Sequence, residues 1–139
     1  MLVPVLLIVL LAVGGCASTT SGSPSAAVDE AEALELQISF QGLCDARTLA
    51  AAEDLWGAAN EFQTQSHAYL HEFADRYSAS EREAVARLLE AKQVVEAQLA
   101  SPDFAEPTAV TASLSTLETA LADAAERVGF DRPVCGGSQ

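Results

Sequence analysis

From Ala26 onward the apolar residues of the chain recur at three- and four-residue steps, and almost nothing alternates as a strand would. The first stretch, Asp29 to Gln41, carries Leu34 and Ile38 on one face and meets Gly42 as a stop signal. A second begins near Asp45, a good N-cap residue, and can run to Tyr77. Its stripe is Leu55, Ala59, Phe62, Tyr69 or Leu70, and Phe73. Ser80 and Glu83 have capping-box spacing, which opens a third helix through Val85, Leu88, Leu89, Val95 and Leu99, ended by Ser101-Pro102. Pro107 suits the first turn of a fourth, and Val110, Leu114, Leu117, Leu121, Ala124 and Val128 follow in steps of four and three. Gly129 is a natural C-cap, and Pro133 prevents continuation. Each stripe needs cover, so the pattern predicts an all-α fold: a small antiparallel bundle of three to four helices over residues 28–135. Residues 136–139 are expected to form a disordered end.

The stretch before Ala26 obeys other rules. Leu2 to Val13 is almost unbroken Leu, Val and Ile. As a helix it would span about 18 Å, short of the ~30 Å hydrocarbon core, and this length fits the apolar part of a signal peptide. The residues that follow, Val13-Gly14-Gly15-Cys16, resemble the lipobox of bacterial lipoproteins, where an aliphatic and two small residues precede an obligatory cysteine. The resemblance implies cleavage before Cys16 and a covalent lipid on its thiol. It implies residence at the cell membrane, on the extracytoplasmic face. Two or three acyl chains, at about 0.8 kcal/mol per buried methylene, make a durable anchor where one would be marginal. Ala17 is not the Asp that marks inner-membrane retention in this class, so in a cell with two membranes the outer one is implied. Met1 to Val3 depart from the pattern, having no Lys or Arg and only the terminal amine as a positive end. The division is then a signal peptide over 1–15, a lipidated cysteine with a flexible Ser/Thr/Gly/Pro linker over 16–27, and the helical domain.

Charge narrows the partners. No residue before Asp29 is charged, so the whole net charge of −13 belongs to the helical domain. That field repels nucleic acid and bare anionic lipid, and leaves cations or a protein partner of unknown identity. With Cys16 lipidated, Cys44 and Cys135 remain, and outside the cytoplasm they are expected to pair. An unbroken antiparallel helix from Asp45 to Tyr77 would put the two at opposite ends, yet bonded cysteines need α-carbons within about 7 Å. Either the chain breaks between Cys44 and Phe62, with Glu53–Gly57 the favoured place, or the Phe130–Cys135 tail runs back along the bundle.

Candidate chemistry is sparse. His67 and His71 are the only histidines, four apart on a helix, and Asp75 continues their row. Two imidazoles and a carboxylate are a ligand set for Zn²⁺ or Cu²⁺. Projected at 100° per residue, His71 and Asp75 point to solvent and His67 to the core edge, which makes a shallow site. No His-Glu-x-x-His arrangement occurs, so a metalloprotease is excluded at the level of motif. Lys92, the only lysine, falls within the apolar stripe of the third helix and is expected to snorkel outward toward Glu96. Trp56, Phe62, Tyr69, Phe73 and Tyr77 read as core. No serine sits in a nucleophile elbow and no catalytic residues emerge. The expectation is a non-enzymatic binding or envelope-structural protein without a cofactor other than its lipid, and the alternative is a metal-binding lipoprotein using the His67/His71 face.

Overall fold

The structure, a computed structural model, describes residues 29–136. The signal peptide and linker over 1–28, with the lipobox Val13, Gly14, Gly15 and Cys16, lie outside the described residues, as do 137–139. The described chain is an all-α bundle of α1 (Glu30–Ala51), α2 (Leu55–Glu61), α3 (His67–Tyr77), α4 (Arg82–Leu99) and α5 (Pro107–Arg127). A π-helical turn, Phe62–Ser66, joins α2 to α3 without a break, so the chain goes up, down, up and down. α5 packs along both α1 and α4, α3 lies between α1 and α4, and no strand occurs among the described residues. No helix among them is long and apolar enough to cross a membrane.

The first helix does not stop at Gly42. It continues through Asp45, whose carboxylate accepts from Gln41 Nε2 at 2.9 Å instead of capping a new helix. Glycine inside a helix costs about 1 kcal/mol relative to alanine. Here it serves close approach: a β-carbon at Gly42 would lie 2.5 Å from Gln65 Cβ and 2.8 Å from Ser66 Oγ in the π turn. Ser66 Oγ donates to the Ser39 carbonyl at 2.8 Å, fastening the two backbones together. The break falls at residues 52–54, within reach of the favoured place. Glu53 takes a positive φ of 64°, and the amides of Glu53 and Asp54 each donate at 3.0 Å to the Ala50 and Leu49 carbonyls. This is the bonding of a Schellman stop with glutamate where glycine is usual. Asp54 then caps α2 by accepting from the Gly57 amide at 2.8 Å.

Other local signals were overridden. The Ser80/Glu83 capping box does not form: α4 opens behind Glu81, and Ser80 Oγ donates to the Tyr77 carbonyl. Leu34 and Ile38 are exposed, because α1 turns Leu36, Phe40, Leu43 and Ala50 inward, and Leu89 and Trp56 are exposed as well. The fourth-helix seam holds: Val110, Leu114, Leu117, Leu121 and Ala124 are buried, Val128 packs against them, and Gly129 has a φ of 98°. The core is leucine and valine around Phe40, Phe62, Phe73 and Phe130, with Ala46, Ala58 and Ala124 fully buried where helices come close.

Both routes considered for the disulfide operate together. The α1 break lets the α2–α3 arm start early, and after α5 the chain turns back along α1. Phe130 and Pro133 line a cleft against Ala33 and Leu36, Gln37 Nε2 reaches the Val134 carbonyl, and the Gly136 amide donates to Gln41 Oε1 at 3.0 Å. That path brings Cys135 to Cys44, which are bonded with α-carbons 5.7 Å apart.

Candidate functional site

The π turn sets the face that α3 presents. Its closing bond runs from the His67 amide to the Phe62 carbonyl, five residues back, and π turns inside α-helices are often found at functional positions. The turn delivers His67 and His71 to α4, which runs antiparallel to α3. His67 Nε2 is 2.8 Å from Glu96 Oε1, and His71 Nε2 is 2.9 Å from Lys92 Nζ. Lys92 Nζ also donates to Glu96 Oε1 at 2.6 Å, and the two imidazoles meet edge to face with centroids 4.8 Å apart.

These four side chains form one hydrogen-bonded chain, His67–Glu96–Lys92–His71, whose ends meet only through the edge-to-face imidazoles. Lys92 reaches Glu96 as expected but does not carry its charge into solvent: it is 2 % exposed, its charged end covered by His71 and Glu96. The partners assign the imidazole roles. His71 Nε2 faces a donor, so it offers its lone pair, whereas His67 Nε2 faces a carboxylate oxygen and carries the hydrogen. For Glu96, partial burial pushes the carboxyl pKa up. The hydrogen bond and charge of Lys92, with those of His67, overcome this and hold it below the ordinary carboxylate range.

Of the residues expected to form a metal set, His67 and His71 come together and Asp75 does not join them. Glu96 stands in its place: donor atoms of His67, His71 and Glu96 all lie within 4.8 Å of one another. The reason is register. Antiparallel packing places Glu96 opposite His67 and Lys92 opposite His71, so Asp75 stands about 6 Å beyond the level of Lys92 and about 12 Å beyond that of Glu96 along the helix axis. Asp75 is exposed. Spacing within a helix showed the two imidazoles. The i,i+4 pair Lys92 and Glu96 was also legible, but its arrival beside them was not.

Two other polar assemblies hold the fold. Beside the disulfide, Glu118 is buried and bound by Arg47 Nε at 2.6 Å. Cys44, Cys135 and Glu118 lie close enough to suggest metal ligands, but both sulfurs are consumed in the bond and the carboxylate is held by arginine. Where α1 begins and α3 ends, Glu32 accepts from the Tyr77 hydroxyl at 2.7 Å and pairs with Arg76. A shallow groove of about 540 Å³ between α4 and α5 is lined by Ala91, Val94, Thr116 and Thr119. Both threonine hydroxyls are returned to the α5 backbone at 3.0 Å, and among the described residues no hydroxyl bonds either histidine.

No protein-family pattern, no curated protein and no solved structure matches this chain.

Proposed function

We propose that the chain is a membrane-anchored bacterial lipoprotein whose acidic helical bundle acts outside the cytoplasm as a non-enzymatic binding or envelope-structural module. The observation that carries this reading is the distribution of the three cysteines. Cys44 and Cys135 are bonded, a state that persists in oxidising compartments, and Cys16 is left as the lone thiol behind Val13-Gly14-Gly15. The bundle's surface supports a role in protein contact. Trp56 and Phe104 are 63 % and 89 % exposed, joined through a Trp56 Nε1–Asp103 Oδ1 hydrogen bond of 3.0 Å. Glu53, Asp54, Asp103 and Glu106 surround them in sequence, and no Lys or Arg occurs over residues 48–75 or 93–126. That end lies opposite Asp29, where the linker would join. A basic, partly apolar protein surface is its complement.

Mass spectrometry of the protein recovered from bacterial membranes tests the anchor. The expected mature chain begins at Cys16 and carries diacylglyceryl on its sulfur, and Cys16→Ser releases the domain from the membrane fraction. An unmodified Cys16, or a Cys16→Ser protein that stays membrane-bound, overturns the proposal.

A further inference from the structure

The α3–α4 cluster has the composition of a metal site with an ammonium in it. Two imidazole nitrogens and a carboxylate oxygen converge from two helices, and two of the three, His71 Nε2 and Glu96 Oε1, hold the cation Lys92 Nζ while His67 Nε2 bonds the same Glu96 oxygen. Full burial of a lysine is uncommon, and the apolar stripe of α4 could have taken a leucine at this position. The chain instead keeps a cation on donors that a transition metal prefers. We propose that His67, His71 and Glu96 bind a divalent transition-metal ion, Zn²⁺ or Cu²⁺, and that Lys92 occupies the position until the metal displaces it.

The chemistry balances without a redox partner. The metal takes the Nε2 lone pair of His71, already turned inward toward Lys92, and an oxygen of Glu96. His67 moves its hydrogen from Nε2 to Nδ1 and offers the freed lone pair. Lys92 leaves as an ammonium, carried by its flexible four-carbon stem past His71, which is exposed and marks the entry side. Three protein ligands leave a fourth position for water, the arrangement of an open rather than a closed structural site. Two nitrogen donors favour Zn²⁺ or Cu²⁺ over Ca²⁺ or Mg²⁺, which prefer oxygen. The net charge of −13 offsets the added positive charge. Lys92 makes the site weaker than its ligand set allows, because every binding event must break the Lys92–Glu96 pair. Binding is therefore conditional on metal supply.

Calorimetric titration of the full chain, kept in detergent and free of chelator, with ZnCl₂ or CuCl₂ alone tests this. The expected result is one equivalent bound. His67→Ala, His71→Ala and Glu96→Gln should each weaken binding at least tenfold, and Asp75→Asn should leave it unchanged. Lys92→Met should tighten it at least tenfold, a gain that misfolding cannot produce. Absence of stoichiometric binding in the native chain overturns the site, even if Lys92→Met binds. Retained affinity in the His67→Ala, His71→Ala double variant also overturns it. Unchanged affinity in Lys92→Met overturns displacement. None of these readouts depends on the lipid anchor, so the two proposals fail separately.

Discussion

The α1–α5 side of the bundle and its α3–α4 side use polar chemistry in opposite ways. Along α1 and α5 the seam is apolar and then locked: Leu43, Leu114, Leu117 and Leu121 are fully buried, Cys44 is bonded to Cys135, and Arg47 neutralises Glu118. The polar pair there is tied to a covalent bond and can do little else. Across α3 and α4 a buried lysine reaches out of the core to a half-buried glutamate and two histidines at its edge, and among the described residues these side chains bond only to one another. Replacing such an internal ion pair by apolar side chains is often neutral or stabilising, so its presence is not explained by the need to hold the fold. The covalent lock lies on one side and the proposed exchangeable chemistry on the other.

The largest expected effect tests the locked side. The Cys44→Ala, Cys135→Ala variant frees a tail that closes over a sequence separation of 91, and urea denaturation should show a loss of about 4 kcal/mol. A loss under about 1 kcal/mol would mean that the tail does not hold the bundle. Next is Gly42→Ala. In a helix interior this exchange ordinarily gains about 1 kcal/mol. Contact with Gln65 and Ser66 reverses the sign, and a net loss of about 1–3 kcal/mol is expected from overpacking. Thermal unfolding checks it, and a stabilised variant would show that α1 and the π turn are not in close contact.

What the sequence made legible follows from range. Helix type, the α5 seam and the Gly129 cap depend on local spacing, and each is found where the pattern placed it. Gly42 misled because a helix-stopping residue and a close-packing residue are the same residue, distinguished only by what crosses it. Leu34 and Ile38 misled because α1 carries two apolar rows, and the one that finds cover is Leu36, Phe40 and Leu43. The π turn has no sequence signature, yet it sets the orientation of both histidines. Of the proposed metal set, the i,i+4 pair His67 and His71 was visible within one helix. Glu96 was not, because its approach to His67 and His71 across two helices depends on their register, which no spacing rule supplies.

Urea denaturation of the Lys92→Met, Glu96→Gln double variant, measured beside the native protein, tests the division between the two sides most directly. If the α3–α4 pair exists for exchange rather than for stability, the methionine stem fills the same apolar position, no charge is left unpaired, and stability changes by no more than about 1 kcal/mol. A loss comparable to that of removing the disulfide, about 4 kcal/mol, would contradict the account and make the buried lysine part of the lock.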